Sequence, residues 1–312
     1  MERNKGCALC PRACGADRAV HPGACGCGAL PRVARVMLHR WEEPPISGER
    51  GAGAVFFTGC PLGCVFCQNG DISTRENASK HGGIYTEKEL SDTFLTLAED
   101  GAATIDLVSP TPFTDVLIRA VADARKRGLT IPVVWNTGGY EKRETVSSLR
   151  GTADVFLDDF KFLSPALSGA LAGAPDYGEY ALAALGEMIG VAGEPRIGGD
   201  GVMRSGVIVR HLVLPGCSDD SIAVIRAINE SYGSSSVLLS LMSQYTPDFF
   251  RGTDDGRLDR SLRRRVTTYE YEKVREEANR LGFDGFMQER GSASASYTPV
   301  WDEPDNEREN NR

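Results

Sequence analysis

The chain has no apolar run approaching the roughly 20 residues that a membrane-spanning helix needs, so no membrane partner is expected. Basic charge is not in excess: 35 Lys and Arg stand against 43 Asp and Glu, for a net charge of -8. A nucleic-acid-binding surface normally leaves a basic footprint, so no nucleic-acid partner is expected either. Histidine is scarce, at four residues (His21, His39, His81 and His211), and none sits in a recognisable hydrolase context with Cys or Ser. The opening stretch MERNKGCALCPRACG has no apolar core of the kind a secretion signal carries, which leaves the cytoplasm as the expected location. Gly138-Gly139 lacks the full spacing of a dinucleotide-binding turn and reads as a simple turn.

Cysteine is what the chain has in quantity. A reducing compartment disfavours structural disulfides, so nine clustered cysteines read as metal ligands or redox groups. Cys7, Cys10, Cys14, Cys25 and Cys27 crowd the N-terminus, Cys60, Cys64 and Cys67 form a second group, and Cys217 stands alone.

Three segments follow from the patterning. Residues 1–48 form a Cys-, Gly- and Pro-rich extension with little apolar periodicity, ending in a linker-like stretch from Trp41 to Gly48. Residues 49–291 alternate strand and helix signals, and residues 292–312 form a polar tail expected to fray. Short β-branched and aromatic runs predict strands at Ala54–Thr58, Ile105–Ser109, Pro132–Asn136, Asp154–Leu157, Val207–Leu214 and Val237–Met242. Helical patterns lie between them, beginning with a capping-box signature at Thr86-Glu87-Lys88-Glu89. The fold class is therefore α/β, with a parallel sheet or an incomplete barrel, and Ala192–Gly206 reads as a Gly-rich loop.

The strongest chemical signal is the loop Gly59-Cys60-Pro61-Leu62-Gly63-Cys64-Val65-Phe66-Cys67. It follows the first of those six runs, where α/β barrels place their chemistry. A 4Fe-4S cluster has four irons, and electron-transfer clusters commonly take four cysteines. Three thiolates from a C-x3-C-x2-C loop leave one iron with an open position, the feature that separates catalytic from closed metal sites. A structural zinc would want a fourth Cys or His, and the loop holds none.

At the N-terminus, Cys7, Cys10, Cys14 and Cys25 offer four thiolates, enough for a closed site. Zinc, a second iron–sulfur cluster and unmetallated thiols all fit that pattern, and spacing does not decide between Cys25 and Cys27. Asp158 and Asp159, as adjacent strand residues, should point to opposite faces, with an Asp159–Lys161 ion pair a simple outcome on one of them.

Taken with LVSPTPF, VVWNTGGYE, VFLDDFKF, VIVRHLVLPG and LMSQYTP, the loop GCPLGCVFCQNGDIS resembles radical S-adenosylmethionine (SAM) proteins of the pyruvate formate-lyase activating enzyme type, and within them the PflX-type branch. The likeness runs through most of residues 5–290. The resemblance implies a partial (β/α)6 TIM-type barrel with a Cys-rich N-terminal extension. It implies SAM on the open iron of a 4Fe-4S cluster held by Cys60, Cys64 and Cys67. It also implies an oxidoreductase that cleaves SAM reductively to a 5′-deoxyadenosyl radical. The partners it implies are a low-potential electron donor of flavodoxin or ferredoxin type and a glycyl radical enzyme as substrate.

Through the same resemblance Ser109, Thr111, Asn136, Thr137 and Asp159 become candidates for contact with SAM. Two positions depart from the family pattern: Ser109-Pro110-Thr111-Pro112 stands where a carboxylate-bearing motif is usual, and Gln244-Tyr245 stands where a histidine is usual. Both departures touch the substrate side, so action on a small molecule or another side chain is an alternative. A non-catalytic iron–sulfur or metal-binding protein is the alternative from another class.

Overall fold

The six apolar runs become strands because their side chains alternate between two buried environments. Val55 and Phe57 pack into one core cluster, whereas Ala54 and Phe56 pack into another on the opposite face. In the computed structural model, which describes residues 6–252, 256–287 and 301, ten strands form. They are β1 (Arg32–His39), β2 (Ala52–Phe57), β3 (Gly83–Ile84), β4 (Ile105–Val108), β5 (Val133–Thr137), β6 (Val155–Asp159), β7 (Arg196–Ile197), β8 (Met203–Leu212), β9 (Leu238–Met242) and β10 (Gly285–Met287).

The sheet runs β10-β9-β8-β6-β5-β4-β2-β1-β3, with β7 paired to β8 off that path. From β2 to β10 every neighbouring pair on the path is parallel, and the strands succeed one another in chain order. The fold is thus mixed α/β with a mostly parallel sheet. Because each parallel connection must cross over, all the carboxyl ends of these strands share one edge.

Helices cover one face of the sheet. Strand residues Leu107, Trp135, Phe156, Val209 and Leu241 share a cluster with Phe94 of the helix Glu87–Glu99, Leu117 of Thr114–Lys126, Leu185 of Tyr177–Ala192 and Ile225 of Ser218–Tyr232. Full burial of one such Leu or Phe contributes roughly 1.5–3 kcal/mol, so this layer dominates the stability. The other face holds smaller clusters, one of them built on Val134, Leu157 and Ile208 and closed by Ile46.

The capping box at Thr86 forms, with Glu89 reaching back to the Thr86 N–H, and a second one forms at Thr267 and Glu270. Two stretches differ from the sequence reading. The linker-like stretch Trp41–Gly48 contains the short helix Pro44–Ser47, because Ile46 is apolar and has the sheet's free face to cover. Ala192–Gly206 is not simply a loop: β7 turns back antiparallel onto the start of β8, with Arg196 opposite Ser205. Upstream of the helix, β1 pairs antiparallel with β2, so residues 32–39 belong to the same sheet as the three-cysteine loop. The tail read at 292–312 lies outside the described residues except for Trp301, whose ring meets Phe56 edge-on at 5.5 Å.

Candidate functional site

The three-cysteine loop leaves the carboxyl end of β2 and is pinned on both sides. Gly59 turns it with φ +77°, a conformation that favours glycine, and an added Cβ would stand 2.3 Å from Cys27 Sγ. The Gly63 and Val65 N–H groups donate to Ala172 and Leu171 carbonyls at the end of the helix Pro165–Ala172, over 3.2 and 2.9 Å. Arg12 donates from Nε to the Pro61 carbonyl over 2.9 Å. Phe66 is wedged between the Phe162 and Tyr245 rings, 6.1 and 6.2 Å away. A loop so held presents its thiols at fixed positions.

All three thiols are half-buried. The Leu62 N–H points to Cys60 Sγ at 3.4 Å, and Cys67 Sγ lies 3.3 Å from the Ser73 hydroxyl. Burial pushes the Cys60 thiol up, and it pushes Cys64 to about 12 despite the nearby Lys161 ammonium. As thiolates these groups need a stronger cation than Lys161 beside them. Among the described residues no three His, Cys, Asp or Glu side chains stand close enough to share a single metal ion.

The other candidates gather on the same edge and sort into two hydrogen-bonded groups. The first is centred on Arg210. Its guanidinium donates to Asp159 over 2.6 Å, to the Asn136 side-chain oxygen over 2.6 Å and to Glu42 over 2.9 Å. Asn136 in turn donates to Asp106 over 3.2 Å, and Lys161 donates to Asp159 over 2.6 Å. Register explains the grouping: Asp159 pairs with Arg210 across β6 and β8, so their side chains leave the sheet on one face. Burial would raise the Asp159 carboxyl, but Arg210 and Lys161 outweigh it and hold the group below its usual range. Asp106 and Glu42 are pushed up by burial.

The second group is centred on Glu141. The hydroxyls of Thr111 and Thr137 both donate to its Oε1. Its Oε2 is buried and finds no hydrogen-bond partner among the described residues. Desolvation lifts this carboxyl to about 7, only partly offset by the two hydroxyls. Ser109, at the turn out of β4, has φ +60°, and its N–H donates to the Asn136 carbonyl over 2.9 Å. A non-glycine residue in that region is uncommon and marks a constrained turn.

Thus Ser109, Thr111, Asn136, Thr137 and Asp159 do meet at one edge, but four of them are already engaged by Arg210 or Glu141. Glu141, Glu42 and Asp106 were not singled out from the sequence. Their signal was an acidic residue within an apolar strand or beside a strand end. Asp158 and Asp159 separate as alternation demands: Asp158 is fully buried, its carboxyl raised by desolvation, while Asp159 reaches Lys161. His211 is buried with Nδ1 2.6 Å from the Phe160 carbonyl, and desolvation lowers its pKa to about 4. Cys217 is buried too, its Sγ 3.8 Å from the Pro215 carbonyl.

At the N-terminus, Cys7, Cys10, Cys14 and Cys25 line one small pocket, together with Arg12, Arg18, Pro61 and Thr111. Cys27 does not: its Sγ lies against the Thr58 and Cys25 carbonyls, at 3.3 and 3.7 Å. Cys25 and Cys27 nevertheless stay in contact across the turn at Gly26, a side-chain hydrogen bond between them lowering the Cys25 thiol and raising that of Cys27.

No protein-family model matches the chain. It is 26% identical over 289 residues to an uncharacterized protein of Methanocaldococcus jannaschii, covering 90% of this chain and 76% of that protein. Among solved structures it is similar to Streptococcus suis SuiB bound to precursor peptide SuiA, with a TM-score of 0.46 and 14% identity over 74% of this chain. SuiB bound to S-adenosylmethionine gives a TM-score of 0.45 at 14% identity over 74% of this chain. The chain spans less than half of SuiB, 46% and 48% in the two structures.

Proposed function

We propose that the protein is a radical SAM enzyme: Cys60, Cys64 and Cys67 ligate a 4Fe-4S cluster whose fourth iron is left to SAM. The observation that carries this reading is a pinned loop of three half-buried thiols at the carboxyl edge of a parallel sheet, beside the ends of β4, β5, β6 and β8. Held by these three thiolates, such a cluster would supply one-electron reduction of SAM. The protein's own residues bind, orient and exclude water.

The sequence has no carboxylate in Ser109-Pro110-Thr111-Pro112, where the resembled family carries one. Glu141 answers that absence from the next loop. Its buried Oε2 is an acceptor without a donor, and a ligand ammonium such as that of SAM would satisfy it. Arg210 holds Asn136 and Asp159 in place, so this pair shapes the wall of the site instead of exchanging ligands. Phe66, Phe162 and Tyr245 form an aromatic backing that keeps water from the loop. We also propose a partial barrel as the finer description of the sheet, since its parallel strands follow chain order without a switch point.

Activation of a glycyl radical enzyme, with a flavodoxin- or ferredoxin-type donor, is the substrate-level reading that the resemblance favours. One observation favours a different substrate: at the position of the family histidine, Tyr245 is buried and its hydroxyl is committed to the Leu262 carbonyl over 2.6 Å. It cannot take over a histidine's contact with substrate, which supports action on a small molecule or another side chain.

The test is anaerobic reconstitution with iron and sulfide, then SAM and dithionite, with 5′-deoxyadenosine measured by chromatography. Release by the wild type and its loss in Cys64→Ala, with Cys217→Ala unaffected, is the expected result. A reconstituted wild type that binds the cluster and releases no 5′-deoxyadenosine overturns the reading in favour of an electron carrier.

A further inference from the structure

We infer that Arg12 and Arg18, two arginines of the N-terminal extension, are positioning residues for the candidate site: together they brace the three loops that carry the cysteines, Thr111 and Glu141. The inference rests on the radical SAM reading of that site and goes beyond it by giving the extension a task there. Residues 7–16 reach the site as a folded-back turn. The Cys7 N–H donates to the Ala16 carbonyl and the Gly15 N–H to the Cys7 carbonyl, both over 2.9 Å, so Arg12 stands near the tip. Ala13, beside it, has φ +39°. An L-residue takes that left-handed conformation at a cost, and such strain persists where surrounding contacts hold it.

Arg12 supplies such contacts to two loops at once. Its Nε donates to the Pro61 carbonyl over 2.9 Å, Nη1 to the Gly173 carbonyl over 2.6 Å and Nη2 to the Ala172 carbonyl over 3.2 Å. Ala172 and Gly173 end the helix Pro165–Ala172, where the last carbonyls lack intrahelical donors and the macrodipole favours a cation. The Gly63 and Val65 N–H groups meet the same helix end, so Arg12 is a third tie between it and the cysteine loop. The guanidinium carbon also lies 5.3 Å from the centre of the buried Tyr140 ring, immediately before Glu141.

Arg18 holds the third loop. It donates from Nε to the Gly28 carbonyl over 3.0 Å and from Nη1 to the Pro112 carbonyl, and its guanidinium lies 5.6 Å over the Phe113 ring. Pro112 and Phe113 follow Thr111, whose hydroxyl donates to Glu141. The two arginines therefore act on Glu141 from both sides, through Tyr140 and through Thr111. Water could satisfy the same carbonyls without fixing where the loops stand. With the braces removed, the cost of ordering the loops would fall on SAM binding.

Hydrogen–deuterium exchange of the full chain before reconstitution reads the braces without any activity assay. Arg12→Ala should speed exchange about tenfold in peptides covering 59–68 and 138–142, and Arg18→Ala in those covering 109–114. Arg125→Ala removes donors from the Gly151 and Thr152 carbonyls just before β6, at the other edge of the sheet, and should leave all three loops unchanged. Steady-state 5′-deoxyadenosine formation then reads the consequence. In both variants KM for SAM should rise about tenfold with kcat within about twofold of wild type. Arg12→Lys should recover part of that loss, since an ammonium keeps the charge and lacks the fork. If Arg12→Ala does not fold, Arg12→Lys carries the same comparison with a smaller change in the same peptides. Exchange unchanged in the named loops overturns the proposal, as does faster exchange spread over the whole sheet, or a fall in kcat at unchanged KM. If the wild type releases no 5′-deoxyadenosine, the radical SAM reading fails while the exchange result still decides the braces.

Discussion

Arg210 donates from Nε to Asp159 over 2.6 Å, and the same guanidinium reaches Asn136 and Glu42, so one side chain from β8 ties β5, β6 and the segment before the helix Pro44–Ser47 together. Two of its partners, Asp159 and Glu42, were carboxylates with little solvent to stabilise them: their side chains are 20% and 10% exposed. Removing Arg210 leaves Glu42 without its cation and Asp159 with Lys161 alone.

Arg210→Ala is therefore expected to destabilise the protein by about 3–5 kcal/mol, the range for one partner deleted from a buried ion pair. Arg210→Lys should recover little of it, because an ammonium cannot reach three acceptors in the plane of a guanidinium fork. Urea denaturation followed by circular dichroism measures both.

Glu141 gives a pH signature. Its folded pKa is about 7, raised from 4.5, chiefly by desolvation. The folded state therefore binds the proton more tightly than the unfolded one, and this contribution is full below pH 4.5 and lost as pH rises through 7. Glu141→Gln should remove that decline, so its stability relative to wild type improves between pH 5 and pH 8. His39 and His211, both lowered to about 4, tilt the absolute curve in the opposite sense. The difference between variant and wild-type melting temperatures cancels the two histidines, which both proteins carry, and reads Glu141 together with its effect on the buried Asp158 carboxyl.

Gly59→Ala tests the turn into the cysteine loop. The substitution meets φ +77° together with Cys27 Sγ at 2.3 Å and the Cys25 carbonyl at 2.7 Å. The backbone term alone costs about 1–2 kcal/mol. The clash adds to it, so a drop above 2 kcal/mol and a lower iron content after reconstitution are expected. Cys27→Ala in the same chain should relieve only part of the loss, because the carbonyl contact remains.

Much of this architecture is legible in the sequence. The six strands appear where β-branched and aromatic residues cluster, since period-two burial and short length leave few other solutions. The Thr86 cap was readable for the same local reason. Less legible were the helices Pro165–Ala172 and Tyr177–Ala192, whose many Ala and Gly residues blur any apolar stripe. The site divides similarly. Cys60, Cys64 and Cys67 declare themselves by spacing along one loop. Arg210, Glu42, Asp106 and Glu141 do not, because their significance lies in contacts such as Arg210–Glu42, which joins residues 168 apart in the chain. A buried carboxylate carries no mark of its burial in the neighbouring letters.

The central claim is an iron that the three-cysteine loop leaves without a protein ligand. Electron paramagnetic resonance of the reconstituted, reduced protein with carboxyl-labelled SAM tests it most directly. The account predicts a spectrum that shifts on adding SAM and a hyperfine coupling to the label, both abolished in Cys60→Ala/Cys64→Ala/Cys67→Ala. A reduced-cluster spectrum identical with and without SAM, or a coupling that persists in that triple variant, would contradict it.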